Sequence, residues 1–246
     1  MSDTNGSIII GRNPVIEALK SGREIEKIYV CRGAEGSIRK ITAMAREKGV
    51  PVYREEKHIV DKIAPGANQG VAAIVSEHKY CEIEDIIELA KERGEAPFVL
   101  LLDGIEDPHN LGAIIRSAEA AGVHGVIIPK RRAAGIGEAV VKASAGATEY
   151  MLCAKISNIA QAIDKLKGMG LWIGAGDAGG GLYRDVDLKG AIGIVIGGEG
   201  TGIGKLVKEK CDFLLSIPMM GRISSLNASN AATVIMYEVR RQRDGK

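Results

Sequence analysis

Polar side chains stand in three short segments that also carry glycines or open a helix. In the first segment, Asn110, Gly112 and Arg116 follow the pair Asp107-Pro108. The spacing predicts that Asn110 caps a helix and that Arg116 lies more than one turn further along it. An arginine at such a place can bind a phosphate, although a capped helix with a solvated arginine explains this segment more simply.

The second segment holds a single charge, Glu199, within a run of glycines that follows the apolar stretch 192–196. Glycine adopts tight turns at a strand end without strain, so this glutamate can face a ligand. The equally weighted alternative is a carboxylate that stabilises a helix N-terminus.

The third segment opens the last predicted helix with more polar side chains than a helix cap needs. They are Ser224, Ser225, Asn227, Ser229 and Asn230. Capping uses one side-chain oxygen, or two in a reciprocal box. The surplus indicates a binding site, and the alternative is close packing of small Ser and Ala residues against backbone.

Two other glycine-rich runs imitate nucleotide-binding motifs. The run 174–179 fits G-x-G-x-x-G, but no helix pattern follows it, so a flexible surface loop is predicted there. The run 198–205 resembles a phosphate-binding loop, yet Glu199 replaces a required glycine and Leu206 replaces the magnesium-binding Ser or Thr. A glutamate would repel a triphosphate, which excludes nucleotide hydrolysis.

Short apolar strands alternate with helices through residues 96–246 and would position these segments. Strands that are apolar on both faces predict a parallel sheet covered by helices, whose ligands bind beyond the carboxyl ends of the strands. The predicted strands are 98–102, 126–128, 150–154, 171–175 and 192–196, and the predicted helices are 111–121, 137–145 and 159–166.

Residues 1–80 predict a smaller α/β domain. Its first helix is expected to start at Asn13-Pro14, with the asparagine as its cap. The acidic stretch 81–95 has apolar residues at helical spacing and is interpreted as a helical linker. The predicted division is therefore 1–80, 81–95 and 96–246.

Composition narrows the class of protein. Basic and acidic residues number 33 and 31, so the totals show no strongly cationic nucleic-acid arm. A hydrophobic content of 46% argues against disorder, and the 32 glycines lack the three-residue period of collagen. Four widely spaced cysteines predict reduced thiols and no metal site. Without a signal peptide or membrane span, a cytoplasmic location is expected.

Taken together, the three segments resemble the motifs of the SpoU/TrmH-type RNA ribose 2′-O-methyltransferases of the SPOUT class. The first motif, Asn with Gly two residues on and Arg six residues on, matches Asn110, Gly112 and Arg116. The second and third motifs match Gly197 to Gly200, Ile217 to Met219 and Ser225 to Asn227. The stretches 10–19 and 142–147 look like the bacterial 23S rRNA guanosine subgroup.

This resemblance implies a fold, a cofactor and partners. The second lobe is expected to be an α/β-knot domain with a parallel sheet and a deep trefoil knot, and S-adenosyl-L-methionine is expected as the methyl donor. The first lobe is expected to resemble ribosomal protein L30e and to bind folded RNA by shape, through residues such as Arg12, Arg23 and Lys27. The implied partners are 23S rRNA or its precursor and a second copy of the chain, with the site near the subunit interface.

The resemblance also assigns roles to residues. Contact with the methyl donor falls to Gly197, Ile217 and Leu226, and the catalytic set is Arg116, Asn110, Glu199, Ser225 and Asn227. The family's usual proposal makes the residue at Arg116 a general base. A guanidinium with a pKa above about 12 is a poor base, so we expect Arg116 to bind a substrate phosphate and stabilise negative oxygen.

Three alternatives stay open at this point. Transfer RNA methyltransferases share the catalytic motifs, so the substrate class is undecided. A non-catalytic RNA-binding or ribosome-assembly protein would lack motif residues, whereas Asn110, Glu199 and Asn227 are all present. A nicotinamide oxidoreductase would need a helix after the run 174–179.

Overall fold

The computed structural model describes residues 7–76, 78–200 and 202–245. The chain forms two compact units: unit 1 contains Met1–Lys79 and Ile136–Tyr150, and unit 2 contains Tyr80–Gly135 and Met151–Lys246. The sequence placed 136–150 in the second lobe. In the structure this segment belongs to unit 1, because Val141 is buried in the apolar core of that unit.

Unit 1 contains a four-stranded sheet with helices. Its elements are β1 (Ser7–Ile10), α1 (Arg12–Ser21), β2 (Ile25–Cys31), α2 (Ser37–Glu47), β3 (Val52–Glu55), α3 (Lys57–Ile63), β4 (Val71–Val75) and, from the returning segment, α6 (Glu138–Ala143). The strand order is β1-β4-β2-β3, with β2 and β3 parallel and β4 antiparallel to both of its neighbours. All five residues of β4 are buried, as expected for an inner strand.

The start of α1 differs from its prediction. Gly11, with φ of +95°, occupies the N-cap position, and the helix already includes Asn13. Pro14 is therefore the third helical residue and is buried. The cap assigned to Asn13 is wrong, because the left-handed glycine before it turns the chain into the helix two residues earlier.

The basic residues that the sequence assigned to RNA contact have partners inside unit 1. Arg23 donates to Glu149 Oε1 at 2.6 Å and to the Ser76 carbonyl, and its side chain is only 9% exposed. The prediction is wrong for Arg23, because a buried and fully paired guanidinium is unavailable to an RNA backbone. Arg12 and Lys27 are also bonded to neighbours within the unit.

Unit 2 is built on a six-stranded sheet in which all neighbouring strands are parallel. Its elements are α4 (Ile83–Glu92), β5 (Phe98–Asp103), α5 (Pro108–Ala120), β6 (Gly125–Pro129), β7 (Leu152–Ile156), α7 (Ile159–Gly168), β8 (Trp172–Leu182), β9 (Ile192–Gly197), α8 (Lys205–Lys210), β10 (Phe213–Ser216) and α9 (Ala228–Arg243). The strand order is β10-β8-β9-β5-β6-β7. The parallel sheet predicted from the apolar strands is confirmed.

The acidic segment after residue 80 is part of unit 2. Helix α4 begins with a reciprocal capping box between Glu82 and Asp85. Its apolar face, with Ile83, Ile86 and Ile87, is buried in the same core as the sheet. The helix was predicted correctly, but it packs in the core instead of linking two lobes.

The glycine-rich run 174–179 is wrongly predicted as a surface loop. It lies within β8, which continues to Leu182 and pairs with β10. A Cβ on Gly180 would lie 2.5 Å from the backbone of Leu214, so only glycine permits the two strands to approach here. The absence of a following helix excludes the dinucleotide motif, as the sequence indicated.

The four cysteines are free thiols: Cys153 is buried and the other three are half-buried. Burial raises the pKa of the Cys153 thiol far above its usual value. Within the described ranges, every helix is too short or too polar to cross a membrane.

Candidate active site

Three side chains from separate segments meet at the carboxyl edge of the unit 2 sheet. Glu199 Oε1 accepts hydrogen bonds from Nδ2 of Asn110 at 3.0 Å and from Nδ2 of Asn227 at 2.7 Å. The Asn227 amide also donates to Oδ1 of Asn110 at 2.9 Å. One carboxylate oxygen and two amides thus form a closed triangle, which holds all three side chains in place. We name this set the amide–carboxylate triangle.

Asn110 is available to the triangle because another residue caps its helix. The N-cap of α5 is Asp107, whose Oδ1 accepts from the His109 N–H at 3.0 Å, and Pro108 follows at the first helical position. Asn110 lies inside the first turn and is 8% exposed. The cap assigned to Asn110 is therefore wrong, and its amide bonds across the site instead.

Asn227 serves both its helix and the triangle. It is the N-cap of α9, and its Oδ1 accepts from the backbone N–H and the hydroxyl of Ser229, at 2.9 and 2.6 Å. Its Nδ2 is then left to donate to Asn110 and Glu199. Part of the excess of polar side chains at the start of this helix is thereby explained. The oxygen of the Asn227 amide caps the helix, and its nitrogen donates to the other two residues of the triangle.

The glycine turn after β9 positions Glu199. The Gly198 N–H donates to the carbonyl of Asp103 at 2.8 Å, and the Gly204 N–H donates to Oδ2 of the same residue at 2.9 Å. A Cβ on Gly198 would overlap the carbonyl oxygen of Gly104. The turn is therefore pressed against the end of β5, and only glycine fits there. Asp103 was not singled out in the sequence, where it looked like an ordinary strand end.

A cavity of about 380 Å³ opens beside the triangle. Its lining includes every residue that the resemblance assigned to the methyl donor, namely Gly197, Ile217 and Leu226, and two of the catalytic set, Glu199 and Ser225. The described lining residues include the carboxylates of Asp177 and Glu199 but no Lys, Arg or His. Such a cavity suits a ligand with positive charge and repels a phosphate.

The far wall of the cavity comes from β8, at Gly176, Asp177 and Ala178. Asp177 forms an ion pair with Lys208 on α8 at 2.5 Å, and the hydrogen bonds from Lys208 and from the Gly179 N–H lower the pKa of its carboxyl. This wall was not expected from the sequence. The glycine spacing of the run was a signal, but it was interpreted as a loop and not as a strand that lines a site.

Arg116 is not part of the triangle. It lies on α5 beyond Asn110, is exposed and does not line the cavity. Among the residues that the structure describes, no acidic group forms an ion pair with it. Its guanidinium is thus free to meet an anion from outside the chain.

Comparison with known proteins adds two family matches. The model of the SpoU rRNA Methylase family matches residues 97–237, and a model described as RNA 2′-O ribose methyltransferase substrate binding matches residues 8–81. The Bacillus subtilis protein YacO, whose name places it in the TrmH family of tRNA/rRNA methyltransferases, is 43% identical over 238 residues, 96% of each chain. A Staphylococcus aureus protein with the same family name is 42% identical over 245 residues, 99% of this chain and 98% of its own.

Solved structures agree with these sequence relatives. The SpoU methyltransferase AviRb from Streptomyces viridochromogenes matches with a TM-score of 0.83 and 26% identity, over 98% of this chain and 91% of its own. The complex of AviRb with the cofactor AdoMet matches with a TM-score of 0.82 and 26% identity, over 97% and 91% of the two chains. The similarity thus covers both units and not only the sheet that carries the cavity.

Proposed function

Because the chain belongs to the SpoU rRNA Methylase family and is an RNA 2′-O-ribose methyltransferase, we propose that it methylates a guanosine ribose in 23S rRNA or its precursor. The stretches 10–19 and 142–147, which look like the rRNA guanosine subgroup, support this substrate. The relatives are named for both tRNA and rRNA, so tRNA is the second candidate.

The charge of the cavity is the observation that carries the proposal. S-adenosylmethionine has a net positive charge, because its sulfonium and amino groups outnumber its one carboxylate. The described cavity wall offers the carboxylate of Glu199, that of Asp177, which is paired with Lys208, and no basic side chain. Ile196, Leu215 and Ile235 provide an apolar surface for a neutral adenine, and the glycines expose main-chain groups for hydrogen bonds. The residues present therefore fit this methyl donor, in keeping with the AdoMet complex of AviRb.

When bound, S-adenosylmethionine supplies an electrophilic methyl group. The chain's own task is to hold a ribose hydroxyl in line with it. The amide–carboxylate triangle fixes one side of the site, since Glu199 restrains both asparagines. Ser225, which lines the cavity, is proposed to bind the ribose. Correct orientation of two reacting groups lowers a barrier by about 7 to 11 kcal/mol.

Arg116 is proposed to bind the phosphate next to the target ribose and to stabilise negative charge on the attacking oxygen. Its planar guanidinium donates two parallel hydrogen bonds to a phosphate and stays protonated at neutral pH. Its exposure on α5 leaves it accessible to RNA. A residue that never loses its proton cannot be the base, so the hydroxyl proton must leave to another acceptor.

A homodimer and a knotted chain complete the proposal. Met220 is 96% exposed and Ile223 is 71% exposed, and a second copy would cover this apolar segment. Strand β10 lies at the sheet edge beside β8, whereas α9 packs against α5 and β9. A return of the connection 217–227 across the carboxyl edge, from β10 to α9, supports the proposed knot. A likeness of unit 1 to ribosomal protein L30e stays a prediction.

Two measurements test this function. Calorimetric titration of the protein with S-adenosylmethionine should show saturable heat, whereas a non-catalytic RNA-binding protein would show none. Ribose 2′-O-methyl positions should then be mapped in RNA from cells with and without the gene. Loss of one methyl group from a 23S rRNA guanosine is the expected result, and a loss confined to tRNA would replace the proposed substrate by the second candidate.

A further inference from the structure

Three consecutive basic residues, Lys130, Arg131 and Arg132, follow β6 directly and are all exposed. Within the described part of unit 2, other lysines pair with acids, for example Lys165 with Glu84 at 2.6 Å. No described acidic residue forms an ion pair with any of the three. This run is therefore a local concentration of positive charge that no acidic side chain among the described residues neutralises. We name it the basic loop.

Backbone hydrogen bonds hold the basic loop beside the active site. The Lys130 N–H donates to the Ile156 carbonyl at 2.7 Å, at the end of β7. The Ala134 N–H donates to the Ile105 carbonyl at 2.8 Å, in the connection that leads from β5 into α5. Both ends of the loop are thus tied to the carboxyl edge of the sheet, next to the connection that leads into α5, the helix of Asn110.

The conformation of the loop supports a specific role. Arg132 has φ of +56°, a left-handed conformation that is uncommon for residues other than glycine. A left-handed arginine between two backbone anchors turns the chain sharply, so the loop is defined in shape and is not a free tail. Non-glycine residues in this conformation cluster at binding sites.

A fourth cation lies next to the loop. Lys155 on β7 places Nζ 4.8 Å from the centre of the Tyr80 ring. The same Nζ is 3.9 Å from the position of a Cβ added to Gly135, three residues after Arg132. These four positive charges, three in the basic loop and one on β7, repel one another in the free protein, and a polyanion would relieve that repulsion.

We infer that Lys130, Arg131, Arg132 and Lys155 bind the phosphodiester backbone of the substrate RNA beside the target ribose. This inference rests on the proposed function and extends it, because it gives the methyltransferase unit a second RNA contact besides Arg116. Arginine suits a phosphate because its fork donates two hydrogen bonds at once. Contacts to phosphates position an RNA without reading its sequence, which fits a loop with no aromatic side chain.

The test compares two double variants that each remove two charges from unit 2. Arg131→Ala with Arg132→Ala changes the basic loop. Arg93→Ala with Lys189→Ala is the control, since both residues are exposed and lie before β5 and β9, at the opposite sheet edge. Binding of a fluorescein-labelled RNA hairpin is followed by anisotropy over about 50 to 300 mM KCl, where each lost phosphate contact lowers the salt slope by about 0.7 to 0.9.

The loop variant should lower the slope by about 1.4 to 1.8 and weaken binding at low salt about tenfold or more, while the control keeps the wild-type slope. Arg131→Lys with Arg132→Lys should keep most of the slope, because charge is retained. An unchanged slope in the loop variant, or an equal loss in the control, would overturn the inference. Titration with S-adenosylmethionine tests the proposed function independently of the basic loop. If the wild-type protein does not bind the methyl donor, the proposed function is contradicted, but the comparison of salt slopes remains valid.

Discussion

The two edges of the unit 2 sheet use their polar residues in opposite ways. At the amino edge, the Phe98 N–H donates to Nδ1 of His124 at 3.0 Å, and Nε2 of the same ring lies 3.0 Å from Glu95 Oε2. Arg243 donates to three backbone carbonyls and lies 5.3 Å from the Phe98 ring centre. These side chains bond to one another or to backbone, and they close this end of the sheet.

The carboxyl edge combines fixed amides with free cations. The amide–carboxylate triangle is rigid, and it borders a cavity with no basic side chain among its described lining residues. Around that cavity, Arg116 and the basic loop find no described acidic partner for an ion pair. The carboxyl edge therefore separates two binding regions. The cavity suits the cationic methyl donor, and the surface around it suits the anionic backbone of RNA.

The difference shows that stability and function occupy opposite ends of one sheet. Ligands of parallel sheets bind at the carboxyl ends, where loops can vary without loss of the strands. Substitutions at the carboxyl edge should change donor binding or turnover, and substitutions at the amino edge should change only the free energy of unfolding.

The largest effect is expected from Gly198→Ala at the carboxyl edge. The new Cβ would overlap the Gly104 carbonyl oxygen, so the turn that carries Glu199 must move. We expect affinity for S-adenosylmethionine to fall at least about 100-fold, because displacement by about 1 Å is costly at a binding site. Calorimetric titration measures this loss.

The control for Gly198 is Gly190→Ala, before β9 at the amino edge. A Cβ on Gly190 meets no atom within 4 Å, and its φ is not in the left-handed range. Donor affinity should stay within about twofold of the wild-type value, in line with a surface substitution. If Gly198→Ala binds as tightly as Gly190→Ala, the close approach does not shape the site.

Arg116→Lys should lower turnover about 100-fold and leave the affinity for S-adenosylmethionine unchanged. A lysine keeps the charge, but it cannot donate two parallel hydrogen bonds to a phosphate and the developing oxygen anion. The measurement is methyl incorporation into undermethylated rRNA under single-turnover conditions. Arg93→Lys at the amino edge is the control and should react at the wild-type rate. Normal turnover by Arg116→Lys would remove Arg116 from the reaction.

Arg243→Ala tests the amino edge and should lower the free energy of unfolding by about 2 kcal/mol, through the loss of charged hydrogen bonds to three carbonyls. Donor affinity should not change. Arg240→Ala on the same helix is the control, since its ion pair with Asp244 is largely exposed and contributes at most about 0.5 kcal/mol. Urea unfolding measures both values. A fall in donor affinity in Arg243→Ala would show that the two edges are coupled.

Glu199→Gln should lower turnover about tenfold with little change in stability. The neutral amide oxygen still accepts from Asn110 and Asn227, but hydrogen bonds to an uncharged acceptor are roughly half as strong. The asparagines then lose part of their restraint. The rate of methyl transfer is the measurement. Glu209→Gln on α8, whose pairing with Lys205 is long at 3.9 Å, should react normally. An equal rate in the two variants would mean that the triangle does not position the substrate.

The sequence predicts the sheet well and the site partly. The strands at 98–102 and 192–196 appear within a residue of their predicted ends, because runs apolar on both faces are specific for buried parallel strands. The strand β8 could not be predicted beyond residue 175, because its glycines are explained only by β10, which follows more than 30 residues later. The local propensity of these glycines for a strand or a loop gives no information on a contact with a strand so distant in sequence.

The site shows the same limit at the level of single bonds. Asn110, Glu199 and Asn227 could be selected by residue type and motif spacing. Their mutual hydrogen bonds join positions 89, 117 and 28 residues apart, and the cap expected of Asn110 is provided by Asp107. The free state of Arg131 and Arg132 was equally invisible, because pairing of a surface charge depends on which acids the fold brings near.

The smallest effect concerns the pH dependence of the amino edge. Burial lowers the pKa of His124 below its usual 6.5, although Glu95 opposes this shift. As pH falls, His124 therefore takes up a proton in the unfolded chain at a higher pH than in the folded protein. The stability from neutral His124 is complete above pH 6.5 and is lost below it, at no more than about 1.4 kcal/mol per pH unit.

His124→Asn should remove this dependence, because an asparagine oxygen can accept from the Phe98 N–H but does not titrate. Unit 1 contains a second histidine, the half-buried His78, whose pKa is lowered to about 4 by loss of solvent contact. Its contribution is the same in both proteins and cancels when the unfolding free energies are subtracted at each pH. The difference between wild type and variant should therefore shrink as pH falls from 7 to 5, whereas donor affinity stays equal. A constant difference over that range would show that His124 does not titrate on unfolding and that the amino edge is held by Arg243 and apolar packing alone.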